Sequence, residues 1–126
     1  GWVFLVMFLL LPRISFAEEL SVNYKVVFSE IIGQVAQGMM KVEVSNFTDK
    51  AIKNVNLRLK ENIFNRIDNG VYQLGRIPAG EVAIVHGQFL LGNELLEPDY
   101  RLTWEVEYDD AQSSQKRVVL RGNKIE

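Results

Sequence analysis

The chain has 126 residues, 14 Lys and Arg against 16 Asp and Glu, one His and no Cys. That length holds one ordinary domain, and a net charge of -2 offers no basic face for nucleic acid. The missing Cys excludes disulfide frameworks, thiolate nucleophiles and Cys-based zinc sites, and a single His excludes a multi-His metal centre.

The chain opens on an unbroken apolar run, Trp2 to Leu11, closed by Pro12 and Arg13. Such a run is about half of the roughly 20 residues that a membrane-spanning helix needs. It matches the central region of a secretory signal, and Ser15-Phe16-Ala17 fits the small-x-small pattern read by signal peptidase. Cleavage is expected between Ala17 and Glu18, leaving residues 18–126 as a single exported domain, periplasmic or extracellular, with no stable membrane span. The segment lacks an initiator Met and a basic leading region, so the signal reads as N-terminally incomplete. An uncleaved anchor is the alternative.

After Glu18 the apolar residues recur with period two, the signature of strands with one buried face. Val22, Tyr24 and Val26 are in phase within residues 21–28. Met40, Val42 and Val44 alternate with polar neighbours, residues 46–50 make a turn, and Val55, Leu57 and Leu59 alternate again. That pair is expected to form a hairpin. Residues 71–77 predict a short strand, 78–81 a turn, and 82–91 a long strand. In the long strand two registers are open, Ala83, Val85, Gly87 and Phe89 inward or Val82, Ile84, His86 and Gln88 inward. The first is favoured because it carries Phe89 and turns His86 outward, and Gly87 fits a bulge.

The clearest alternation spans residues 100–108, with Tyr100, Leu102, Trp104, Val106 and Tyr108 on one face. Arg101, Thr103, Glu105 and Glu107 form the wet face. A polar turn at 109–114 then leads to Val118 and Leu120 on a returning strand. Tyr100 is either a core aromatic or a corner tyrosine whose hydroxyl bonds back to the chain. Ile31-Ile32 and Ile63-Phe64 have no clean period and fit loops over the core or strand extensions.

About seven short strands without a helix predict an all-β, immunoglobulin-like antiparallel β-sandwich, with a closed barrel as runner-up. Its core is expected to rest on Tyr100, Leu102, Trp104, Val106 and Tyr108, faced by Val42, Val44, Val55, Leu57 and Leu59.

Three stretches carry a family resemblance. Residues 42–48 followed by Val55-Asn56-Leu57-Arg58-Leu59, the step Leu74-Gly75-Arg76-Ile77-Pro78-Ala79-Gly80-Glu81, and Trp104-Glu105-Val106-Glu107-Tyr108-Asp109-Asp110 resemble bacterial immunoglobulin-like modules of the cell-adhesion-related (CARDB-like) kind. The resemblance implies an exported seven-stranded sandwich used for binding or spacing. It implies no catalytic residues.

The residues themselves offer little chemistry. His86, flanked by Val85 and Gly87, has no adjacent partner for a nucleophile–base pair. Ser113-Ser114 lies in a turn. Glu94, Glu97 and Asp99 stand before the clearest strand and Asp109 and Asp110 after it, roughly 25 Å apart at 3.3 Å per residue, so they cannot share one calcium site. Asn46-Phe47-Thr48 fits a glycosylation sequon but reads better as a turn whose side chains bond the backbone. Basic residues are dispersed and mostly paired with acids along the strands, as Lys41 with Glu43 and Lys60 with Glu61, so no basic patch is indicated. No catalytic residue, cofactor or metal site is therefore expected. The expected function is a non-enzymatic binding or assembly module of the bacterial cell envelope, with an envelope protein or glycan as partner. Its contacts would be the end loops 46–51, 78–81 and 109–115 or an exposed edge strand. The alternatives are a structural subunit joined through edge strands, or an enzyme that collects His86 with distant acids.

Overall fold

The computed structural model describes residues 19–61 and 68–125. The expected export signal, its cut between Ala17 and Glu18, and the Ile63-Phe64 pair lie outside the described residues. The rest folds into eight strands: β1 (Leu20–Ile32), β2 (Val35–Asn46), β3 (Ile52–Leu59), β4 (Val71–Ile77), β5 (Val82–Gly92), β6 (Thr103–Asp109), β7 (Gln115–Arg121) and β8 (Asn123–Lys124). One 3-10 turn, Asn93–Leu96, precedes β6. The strands form two four-stranded sheets, ordered β5-β2-β1-β8 and β4-β3-β6-β7. Pairing is antiparallel except where the two-residue β8 runs parallel to β1. The protein is thus a β-sandwich and not a closed barrel. The order is that of an immunoglobulin-like sandwich whose fourth strand pairs with the third instead of joining the sheet of the first, second and fifth.

Alternation places the core between the sheets. Val22, Tyr24, Met40, Val42 and Val44 face Val55, Leu57, Trp104, Val106 and Tyr108, and all are buried. Leu59, Phe89 and Leu102 are buried with them. In β5 the inward set is Ala83, Val85, Gly87 and Phe89, and His86 is exposed. Gly87 makes no bulge, because β2 and β5 pair without a register shift from Val35 opposite Gly92 to Ser45 opposite Val82. Its role is steric: a side chain at 87 would run into the Tyr72 hydroxyl.

Two further expectations are corrected. First, β2 and β3 do not form a hairpin. The partner of β2 is β1, through the tight turn at Gly33 (φ 64°), whereas β3 lies in the other sheet. Residues 46–51 are therefore a corner between the sheets, and residues 78–81 are a second one. Residues 29–38 extend the β1–β2 hairpin. A register shift between Val26 and Phe28 breaks the alternation of β1, and Ile31 and Ile32 stay exposed.

Second, Tyr100 is no core residue. It is 37% exposed, lies before β6, and sits in a turn closed by its own N–H donating to the Glu97 carbonyl at 3.0 Å. The corner tyrosine is Tyr24, from the opposite sheet. Its hydroxyl accepts the Leu102 N–H at 3.1 Å and reaches the Tyr100 carbonyl at 3.4 Å. Burial pushes the Tyr24 hydroxyl pKa up, and the Leu102 N–H bond opposes that rise. Tyr24→Phe leaves the buried Leu102 N–H unpaired and is expected to cost about 2 kcal/mol in chemical denaturation. Tyr100→Phe is expected to cost less than about 0.5 kcal/mol. Equal losses would contradict this assignment.

Candidate functional site

The sequon-like residues build one end of the sandwich from the inside. Asn46, the last residue of β2, is fully buried. Its Nδ2 donates toward the carbonyls of Lys50 (2.9 Å), Ile77 (3.0 Å) and Pro78 (3.2 Å). Its Oδ1 accepts from the Thr48 N–H (3.0 Å) and the Thr48 hydroxyl (2.6 Å). The backbone adds Asn46 N–H to the Glu81 carbonyl and Gly80 N–H to the Asn46 carbonyl, at 2.9 and 2.8 Å. One side chain thus shapes its own corner and ties it to the corner at 78–81. A turn of Asn bonding its own backbone is ordinary loop chemistry; the reach to Ile77 and Pro78 makes this one a tertiary contact.

The corner at 48–52 forms one wall of a cleft of about 300 Å³. The β6–β7 turn supplies the other wall with Asp110, Ala111 and Gln112, and Glu19 closes the side. That turn is locally rigid: the Asp110 carboxylate accepts the N–H groups of Gln112 and Ser114, both at 2.9 Å, and Ser113 takes a positive φ of 61°. The lining includes two cationic residues, Lys50 and Lys116, and three acidic ones, Glu19, Asp49 and Asp110.

Tyr108 lies in the cleft wall with 5% of its surface exposed, and its hydroxyl has no hydrogen-bond partner among the described residues. Burial, then the negative charges of Glu19 and Asp110, push its pKa up. Like any tyrosine hydroxyl it is protonated at neutral pH, and it is a free donor and acceptor among the described residues. Loops 46–51 and 109–115, far apart in the chain, meet at this cleft, with 78–81 bonded behind them.

The other chemistry-bearing residues are dispersed. His86 is exposed on the outer face of β5, opposite Lys41. Glu94, Glu97 and Asp99 are not gathered with Asp109 and Asp110. Instead the Asp109 carboxylate accepts from Asn54 Nδ2 at 2.7 Å, and Asp110 caps its own turn. Among the described residues no three His, Cys, Asp or Glu side chains come together as a metal site would require. No helix among the described residues is long and apolar enough to cross a membrane.

Of the two ion pairs read along the strands, Lys41–Glu43 forms at 3.3 Å. Lys60 turns instead to Glu105 at 3.9 Å, while Glu61 accepts the Thr103 N–H at 2.9 Å. Glu105, expected on the wet face, is buried beneath Arg117 (3.0 Å), Arg58 and Lys60 (both 3.9 Å). Long cationic side chains can cover a carboxylate on an outer sheet face in this way.

No protein-family model matches the chain, and no curated protein matches it. Among solved structures it is similar to part of a GH20 exo-β-N-acetylglucosaminidase from Vibrio harveyi, with 11% identity and a TM-score of 0.47 over 86% of this chain and 18% of that one. A β-glucosidase from intestinal bacteria aligns with 10% identity and a TM-score of 0.31, over 82% of this chain and 16% of that one. A β-glucosidase from Kluyveromyces marxianus aligns with 12% identity and a TM-score of 0.23, over 82% and 15%. The chain thus spans less than a fifth of the length of each of these proteins. Likeness at this level carries no argument about activity or ligand. The sandwich stands on its own strand pairing.

Proposed function

We propose that this chain is an exported, non-catalytic binding or assembly module of the bacterial cell envelope, engaging a partner at the end cleft. The observation that carries the reading is the meeting of loops 46–51 and 109–115 around an open polar cleft with an unpartnered Tyr108 hydroxyl. Loops held on a rigid scaffold are where binding residues concentrate. The lining favours a polypeptide over an uncharged glycan. It offers two ammonium groups and three carboxylates, which match a partner bearing both charges, and its one aromatic ring is too buried to stack on a sugar. The apolar segment before Glu18 and the resemblance to CARDB-like modules support export and a module's role.

The test is site-specific photo-crosslinking in the native host. A photoreactive residue at Ala111, in the cleft wall, is expected to give a discrete adduct with an envelope protein, and fractionation is expected to recover a chain that starts at Glu18. The same residue at Val119, exposed on β7, is the control. No adduct from 111, or the same adducts from both positions, would overturn the reading.

A further inference from the structure

The four edge strands of the sandwich are not alike. An edge presents unpaired N–H and C=O groups, and natural sheets blunt it with charge, bulges or brevity. β7 carries Lys116, Arg117 and Arg121. β4 pairs with β3 through register shifts, with Gly75 at a positive φ of 68°. β8 has two residues. β5 has none of these devices: its eleven residues include no Lys, Arg, Asp, Glu or Pro, and its register with β2 is unbroken.

The direction of its free groups follows from the ladder. The Asn46 N–H bonds the Glu81 carbonyl, so alternation in an antiparallel pair turns Ala83, Val85 and Gly87 toward β2 and Val82, Ile84, His86 and Gln88 outward. The outward N–H of Gln88 agrees with this. It donates to the Asp68 carboxylate at 2.8 Å, and Tyr72 holds that carboxylate in place. Asp68 therefore closes the edge at 88, and the corner at 78–81 closes it at the other end. The open groups belong to Val82, Ile84 and His86, which have no hydrogen-bond partner for them among the described residues. They are centred on Ile84.

We propose that this segment pairs antiparallel with the same segment of a second copy, about a two-fold axis at Ile84, joining two four-stranded sheets into one of eight strands. The register is self-complementary: Ile84 faces the other Ile84, Val82 faces His86, and Ala83 faces Val85. Each copy would donate and accept on the same residues, and no charged side chain of β5 opposes another. Val82 and Ile84, 50% and 53% exposed, would be covered. Gln88, blocked by Asp68, would fall opposite Gly80, beyond the strand of the second copy. A pairing of five residues lies at the small end of protein interfaces, so the dimer forms at high local concentration, as in an envelope assembly. The inference is independent of the end cleft.

The absence of Cys makes the register directly testable. Residues directly opposite in a hydrogen-bonded antiparallel pair have Cα atoms about 5.5 Å apart, within disulfide range. Under mild oxidation the full chain carrying Ile84→Cys is expected to form disulfide dimers at least about tenfold faster than Val82→Cys or His86→Cys alone. A mixture of those two variants is expected to form the mixed dimer. In sedimentation velocity at rising concentration, the unaltered protein and Val119→Lys are expected to dimerise, and Ile84→Lys to stay monomeric with an unchanged far-UV circular dichroism spectrum. Equal oxidation rates at positions 82, 84 and 86, or a protein that stays monomeric at millimolar concentration, would overturn the proposal.

Discussion

Replacing Asn46 with Ala is expected to cost about 4 kcal/mol of unfolding free energy, the largest loss of any single polar substitution in the protein. The two Nδ2 hydrogens serve the carbonyls of Lys50, Ile77 and Pro78, and Oδ1 serves two donors of Thr48. Alanine takes the Nδ2 donor from the buried Ile77 carbonyl and the acceptor from the Thr48 N–H, at about 1–3 kcal/mol each, while the Pro78 and Lys50 carbonyls keep only the Glu81 N–H and the Thr48 hydroxyl. Asn46→Asp separates this account from simple loss of packing. The carboxylate keeps the shape and the Thr48 bonds but points an acceptor at carbonyl oxygens. Burial and those oxygens would raise its pKa in the folded state above the usual value of about 3.9. The folded protein then binds a proton that the unfolded chain has released, so stability falls as pH rises through that window. The gap between Asn46→Asp and the unaltered protein should therefore narrow as pH falls from 7 toward about 4, where the carboxyl is protonated in the folded state, while the gap for Asn46→Ala stays flat. Thermal unfolding at pH 4 and pH 7 reads both. A pH-independent gap for Asn46→Asp would mean that the side chain is not enclosed as described.

Gly122→Ala is expected to cost about 3 kcal/mol, from overpacking instead of lost bonding. A Cβ there would stand 2.7 Å from Trp104 Nε1 and 2.7 Å from Tyr24 Cδ1. Neither ring is free to yield. Tyr24 is held by the Leu102 N–H, and the two rings lie 6.1 Å apart at the centre of the core. Gly122 is itself pinned, donating to the Leu102 carbonyl at 2.7 Å and accepting from Arg101 Nε at 3.0 Å. Near-UV circular dichroism should weaken along with the stability, because the Trp104–Tyr24 geometry changes. A loss under about 1 kcal/mol with an unchanged spectrum would show that the rings repack without strain.

Period-two alternation read the inward faces of β2, β3, β5 and β6, because burial on one face leaves that pattern in any strand. It could not say which sheet a strand joins. A polar turn between two alternating segments looks the same whether the chain folds back beside itself or crosses to the opposite sheet, and so residues 46–50 read as a hairpin turn. The signal that could have separated the two was Asn46, in phase with Val42 and Val44 at the end of an inward face. A polar residue in an inward position needs a buried partner, and the partner proved to be the second corner. The segment 29–38 was illegible because the irregularity between Val26 and Phe28 shifts the phase of β1 midway. The alternation misplaces Tyr100 because it continues three residues ahead of the start of β6 at Thr103, and no local feature shows that the corner hydroxyl comes from Tyr24. The cleft itself was legible only as three loops. That two of them share one end is a consequence of the crossings between sheets.

The proposed partner surface is the end of the sandwich bearing residues 48–52 and 108–116. Amide hydrogen exchange of the purified protein, alone and with solubilised envelope proteins of its native host, tests it directly. The predicted result is added protection confined to those two segments and Glu19, with the β3–β6 core unchanged. Protection elsewhere on the sandwich, or none at any segment, would rule out this surface.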